Sequence, residues 1–328
     1  MSSDTITQGL SRARRGVGSG GSGRQAAPAP RKPSNANRMP GHRSRSATLL
    51  GFALPSLILL VLLNVYPVVY AGQQSTRNGD LLSAGNFVGL QNYLSVVQEP
   101  VFWHAALFTL IFTIVGVFGS WALGLAMALL LRTKIPANGV FRVLLLLPWV
   151  VPVVVSATAW NWLVATPQSP FPVIAQFFGL GNPLFLADPA LAQVLVCIYK
   201  VWISFPFMMM MMSSALASVD TNVYEASKVD GAGPWQTFRL ITLPIISRTT
   251  YISWILMTIF CVNDFPTIFL LTGGGPVQST QTLVVMAYIT VFQNYQTGPG
   301  VAIAFLMTIV LVIISVLLYR QIRKVNIE

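Results

Sequence analysis

An all-α membrane protein with six transmembrane helices and both termini in the cytoplasm is the fold class this sequence predicts. Three observations carry that expectation. Of the 328 residues, 54% are hydrophobic and only 9% charged, with a mean hydropathy of +0.66, a balance foreign to soluble domains. Six apolar stretches come close to the roughly 20 residues that a bilayer core requires. Basic residues fall almost wholly on one side of the resulting topology. If the N-terminus is cytoplasmic, the inner segments hold eighteen of the twenty Lys and Arg, and the outer loops hold only Arg77.

The net charge of +11 suggests nucleic acid at first sight, but nine of the basic residues lie in the first 46 positions and the others flank apolar runs. Such placement sets membrane orientation, so no nucleic-acid partner is expected. Cys197 and Cys261 both fall inside apolar runs, and with only His42 and His104 the chain offers neither a disulfide framework nor a metal site. No cofactor is expected.

Residues 1–47 form a basic tail rich in Gly, Ser and Pro, including SGGSG at 19–23. A segment of this kind buries too little apolar surface to offset its chain entropy, so it should be disordered and touch anionic lipid. Because polar residues precede the first apolar run, that run reads as a retained helix rather than a cleaved signal. The membrane domain then occupies 48–325, with spans at about 48–70, 105–131, 143–165, 191–217, 249–271 and 300–319. Pro148, Pro152, Pro206 and Pro266 interrupt several spans, which neighbouring helices or cavity water can tolerate.

Between spans four and five lies a polar, cytoplasmic loop at 218–248. Segment 221–230 has helical character, with Thr221 or Asn222 able to cap it and Glu225 placed to complement the helix dipole. Gly231 breaks it before a second stretch at 234–241, and Pro244 marks where the fifth span begins. An elbow of two short helices would act as a lever on the spans it joins.

Two charges sit within spans, Lys200 in the fourth and Asp264 in the fifth. At about 1.5 Å per residue, both lie roughly 12–14 Å from the outer surface. Intramembrane charges are costly and usually face inward, so these two either pair or jointly contact a solute; the bland alternative is separate snorkelling to water.

The loop's spacing, Glu225-Ala226-Ser227, then Asp230-Gly231-Ala232, then Leu243-Pro244, resembles the cytoplasmic EAA loop of permease subunits in ATP-driven importers. Phe87-Val88-Gly89-Leu90-Gln91-Asn92-Tyr93 looks like the FVGLxNY signature of carbohydrate-importer permeases. Leu271-Thr272-Gly273-Gly274-Gly275-Pro276 resembles the LTGGGP turn of the first permease of the maltose-type pair. The resemblance implies a type I ABC importer permease in the bacterial plasma membrane. Its partners would be a second homologous permease, two copies of a cytoplasmic ATP-binding subunit, and an extracytoplasmic solute-binding protein. The eight loop residues just named would couple to the ATPase. By resemblance to stretches lining the maltose permease cavity, Trp202, Ser204, Phe207, Asn263 and Asp264 would line the solute pathway, together with Lys200. Ser, Phe and Asp replace the family's Gly, Tyr and Asn there, implying a different ligand. No G-x-x-x-x-G-K-[ST] loop is present, so this chain is not expected to be an enzyme. A permease for polyamines or other non-sugar solutes is the runner-up. An ion-coupled carrier, which would normally show internal repeats and more intramembrane charges, is a third reading.

Overall fold

The computed structural model describes residues 42–83, 85–133 and 136–325, with side chains between 49 and 320. Of the tail at 1–47, residues 1–41 lie outside the described residues, and the first helix begins at His42. All regular elements among the described residues are helices; Arg77 and Phe87 form an isolated antiparallel bridge.

The chain divides into two units, Met1–Leu59 and Leu60–Glu328. The described part of the first belongs to α1 (His42–Leu60), whose apolar side chains, Phe52 and Leu57 among them, are exposed. The second unit opens with a wide helical turn, Val61–Val65, leading into α2 (Tyr66–Ser75). There follow α3 (Gln91–Gln98), α4 (Pro100–Arg132), α5 (Asn138–Val150), α6 (Val153–Val164), α7 (Pro170–Phe177), α8 (Pro189–Ala217) and α9 (Thr221–Val229). The last four are α10 (Pro234–Val262), α11 (Phe265–Leu271), α12 (Leu283–Gln293) and α13 (Thr297–Val325).

Among the described residues, five helical stretches are long and apolar enough to cross a membrane, or six if α5 and α6 count as one span. In that pair the interruption expected within the span at 143–165 is a sharp turn at Pro152 alone. Val151 and Pro152 are extended, and the two halves meet at 91°. Pro152 has no N–H to continue the helix and disfavours helical geometry at Val151, so the chain turns there. Pro148 and Pro206, by contrast, stay inside continuous helices.

The fifth span is corrected at both ends. Its helix starts at Pro234, fifteen residues before the expected edge, and stops at Val262, after which α11 begins afresh. The stretch at 234–241 is therefore not a separate helix, and Pro244 lies inside the helix. A wide turn at Phe238–Thr242 accommodates it: the N–H of Leu243 donates to the carbonyl of Phe238, five residues back. The register shift comes just before the residue that cannot donate. Val61–Val65 performs the same service ahead of Pro67.

The core forms where α4, α8 and α10 pack together, with Phe112, Tyr199, Met208 and Met257 fully enclosed. A second cluster, at the end of the bundle carrying Arg132, joins Leu125, Met212, Leu216 and Ile246. Within the run at 208–212, Met208, Met209 and Met212 are buried while Met210 is exposed, so the methionines fill the core.

Candidate functional site

Helical periodicity decides which residues of α8 meet Lys200. Positions four and seven onward share its face, whereas a position two onward lies on the other side. Ser204 and Phe207 accordingly sit with Lys200, and Trp202 does not. Trp202 instead packs against Trp160 and Tyr199, with ring centroids 5.4 and 5.9 Å away, beside a separate apolar groove lined by Ile111 and Val194.

Across from this face, α10 ends at Val262. The N–H of Asn263 still reaches the carbonyl of Ile259, and that of Asp264 only the carbonyl of Cys261. Asp264 then starts α11, its Oδ1 accepting from the Thr267 N–H at 3.1 Å, and Pro266 in the first turn has no N–H to leave unpaired. Its other oxygen, Oδ2, accepts from Lys200 Nζ at 2.6 Å, and both side chains are more than nine-tenths buried. Lys200 Nζ also lies 5.8 Å from the centre of the Phe112 ring.

Room for the lysine stem comes from Gly116 of α4. A Cβ there would fall 2.8 Å from Cys261 Sγ and 3.2 Å from Lys200 Cγ. The chain places a glycine where three helices converge on the ion pair.

The pair borders a hollow of about 430 Å³ at the meeting of two helix breaks. Val151, Pro152 and Val153 from the α5–α6 bend line one side. Asn263, Asp264 and Thr267 from the α10–α11 break line the other, with Ser204 between them. Trp149 and Phe260 supply aromatic walls, and Phe207 stacks on Trp149 at 5.3 Å from behind. Asn263 is exposed, its amide NH₂ donating to Ile259, which leaves its carbonyl oxygen without a protein donor among the hydrogen bonds it makes. Polar groups at a broken helix, aromatic faces and a neutralised charge pair suit an uncharged solute rich in hydroxyls. Of the six residues expected in the pathway, Lys200, Ser204, Asn263 and Asp264 line the hollow, Phe207 backs its Trp149 wall, and Trp202 stands apart. Trp149 and Thr267 were not anticipated, and Pro152 was expected only as an interruption of its span.

The second candidate site is the elbow at 218–248. The carboxylate of Asp220, rather than Thr221 or Asn222, caps α9 by accepting from the Asn222 N–H at 2.9 Å. At its other end Gly231 adopts φ +76. The Ala232 N–H bonds to the Ser227 carbonyl, and the Gly231 N–H to that of Lys228. This is the Schellman arrangement that a left-handed residue allows. Glu225, Ala226, Asp230 and Pro244 are exposed, Ala232 and Leu243 are half-buried, and Ser227 is buried, its hydroxyl donating to the Tyr224 carbonyl. Beside them Val229, Trp235 and Leu240 leave large apolar side chains exposed, next to a hollow of about 850 Å³ lined by Arg132, Tyr224, Lys228 and Trp235. Exposed apolar groups around a polar helix make a surface fit for a protein partner.

Residues 120–326 match the family described as binding-protein-dependent transport system inner membrane component. The trehalose/maltose transport system permease protein MalF of Thermococcus litoralis is 32% identical over 83% of this chain and 92% of its own length. The diacetylchitobiose uptake system permease protein DasB of Streptomyces coelicolor is 30% identical over 87% of this chain and 91% of its own. The sulfoquinovosyl glycerol transport system permease protein SmoG of Agrobacterium fabrum is 29% identical over 82% and 88%. In fold, the chain is similar to the crystal structure of a bacterial ABC transporter involved in the import of the acidic polysaccharide alginate. The TM-score is 0.75 at 18% identity, covering 86% of this chain and 96% of that one. Matched over most of its length by sequence and by fold, the chain belongs to the binding-protein-dependent transport system inner membrane component family.

Proposed function

We propose that this chain is one permease subunit of an ATP-driven importer and carries a sugar or sugar-like solute through the hollow beside Lys200 and Asp264. The observation that carries the reading is the meeting of two broken helices at that buried ion pair. Discontinuous helices within candidate spans expose backbone polar groups, which is tolerated only where they line a cavity or are covered by protein. The relatives named above support a carbohydrate-like cargo, and the hollow's side chains offer hydroxyl-binding groups with aromatic walls.

In this reading both termini and the elbow face the cytoplasm, and a second permease completes the pathway as the other half of a heterodimer. A solute-binding protein delivers cargo on the outer side, and two copies of an ATPase subunit engage α9. Glu225, Ala226, Ser227, Asp230, Gly231, Ala232, Leu243 and Pro244 form the coupling elbow. Closing of the ATPases displaces α9, and because α10 runs from the elbow to Val262, beside Asn263, the displacement reaches the solute hollow along a single helix. Alternating access then follows from reorientation of the helices around that hollow. Lys200, Ser204, Phe207, Asn263 and Asp264 contact or frame the solute, with Trp202 supporting Tyr199 from behind.

The deciding experiment reconstitutes the chain with its partner permease, ATPase subunits and binding protein, and measures ATPase activity and uptake across a panel of labelled disaccharides. Uptake that requires ATP and the binding protein is expected. Uptake driven by a proton or sodium gradient without ATP would overturn the assignment.

A further inference from the structure

The end of α4 carries an arginine that its own helix does not use. The helix stops because Thr133 is extended, and two of its last carbonyls are already served. Thr133 donates its hydroxyl to Leu130 at 2.6 Å, and the Asn138 amide donates to Leu131 at 2.6 Å. The guanidinium of Arg132 is left to lie 4.5 Å above the centre of the Tyr224 ring.

Tyr224 is the fourth residue of α9 and half-buried, while Val223, Glu225 and Ala226 around it are exposed. Its hydroxyl lies 3.4 Å from Thr242 Oγ1, which also lies 3.3 Å from the Thr237 carbonyl, and Thr242 is buried in the wide turn of α10. The ring on α9 thus meets α4 through the stacked guanidinium of Arg132, while its hydroxyl only neighbours Thr242 of α10. Covalently, α9 is tied only to α8 and α10. The stacked guanidinium adds α4, which packs along the length of α8 and carries Gly116 beside Lys200.

We propose that Arg132 and Tyr224 form a clasp that makes the second span move with α9, so that Arg132 is a positioning residue for coupling. The proposal rests on the reading of α9 as the element an ATPase displaces. Without the clasp, α9 would swing on its links to spans four and five, and α4 would lag behind.

The test uses the assembled complex with its partner permease and ATPase subunits, and needs no knowledge of the solute. Cys197 and Cys261 are replaced by alanine, and spin labels are placed at Leu130 and Val229, both exposed. Their separation is measured without nucleotide and after ATP hydrolysis in the presence of vanadate, which traps ADP with vanadate in place of the released phosphate. In the otherwise unaltered chain the separation should stay constant, because the clasp carries α4 along. In Arg132→Ala and Tyr224→Leu it should shift on vanadate trapping, because α9 then moves without α4. Tyr224→Phe, which keeps the ring, should behave as the unaltered chain in the spin-label measurement. The Arg132→Ala/Tyr224→Leu double variant should be no worse than either single one. A separation that changes equally with and without Arg132 would overturn the clasp, as would additive single effects, or a loss confined to co-purification of the ATPase subunit. If the assembled, unaltered complex hydrolyses no ATP at all, the reading of α9 fails instead.

Discussion

Asp264 and Lys200 are joined by one carboxylate oxygen at 2.6 Å, while the other oxygen of the same carboxylate starts α11 through the Thr267 N–H. The break in the fifth candidate span and the placement of its buried charge are therefore one feature. Breaking a buried pair by deleting one partner leaves an uncompensated charge and costs about 3–5 kcal/mol, whereas replacing both members can be close to neutral. Asp264→Asn removes the charge but keeps a good cap, and Asp264→Ala removes both. Thermal unfolding of the purified chain should rank the unaltered protein above Asp264→Asn, and Asp264→Asn above Asp264→Ala. The Lys200→Met/Asp264→Asn double variant should regain part of the loss. If the double variant were no better than Asp264→Asn, the pair would not be the source of the cost.

Gly116 tests the same site from a third helix. Its missing side chain leaves space for Cys261 Sγ and the Lys200 stem, which a Cβ would meet at 2.8 and 3.2 Å. Gly116→Ala should destabilise by about 1–3 kcal/mol, the usual range for overpacking. Combining it with Cys261→Ala removes the nearer obstacle and should restore most of the stability. Melting temperatures of the single and double variants decide it: no rescue by Cys261→Ala would mean that the collision lies elsewhere.

Gly231 poses a different problem, because nothing lies within 4 Å of where its Cβ would be. The cost of a side chain there is purely that of holding φ at +76, about 1 kcal/mol for alanine and less for asparagine, which tolerates the left-handed region. Hydrogen exchange should report this locally. Amides of Gly231 and Ala232, which close the end of α9, should exchange roughly fivefold faster in Gly231→Ala and less so in Gly231→Asn. A change spread evenly over α8 and α10 would contradict a purely local origin.

Much of this was legible in the sequence, and the misses share a cause. The apolar stretches were visible because burial in lipid leaves a compositional mark, and Lys200 and Asp264 stood out as charges where charge is expensive. Their proximity could be anticipated from equal depth. That the aspartate would also cap a new helix could not, since the apolar run continues through Phe265–Leu271 without a change in composition. Pro152 announced a distortion, but a proline in a span can kink, bend or be absorbed. Pro206 and Pro152 look alike in sequence and behave oppositely. Grouping Trp202 with Ser204 and Phe207 ignored helical phase, which places Trp202 away from Lys200. Arg132 escaped notice because a basic residue at the end of a span is ordinarily an orientation signal.

One contact fastens the redirected half of the third candidate span to the helix that carries Lys200. Ser156 Oγ and Tyr199 Oη lie 2.7 Å apart, and both residues are buried. The two partners are not equivalent. Ser156 Oγ also lies 3.1 Å from the Val153 carbonyl, to which it can still donate if the tyrosine hydroxyl is removed. Without the serine, Tyr199 Oη keeps only a 3.5 Å contact to that same carbonyl, too long to replace what was lost. Leaving a buried hydroxyl unsatisfied costs about 1–3 kcal/mol, so Ser156→Ala should be the more damaging change and Tyr199→Phe the milder. The Ser156→Ala/Tyr199→Phe double variant, which leaves no orphaned hydroxyl, should be more stable than Ser156→Ala alone. Thermal unfolding of the three variants checks the order, and a Tyr199→Phe chain less stable than Ser156→Ala would show that the tyrosine hydroxyl has another partner that matters more.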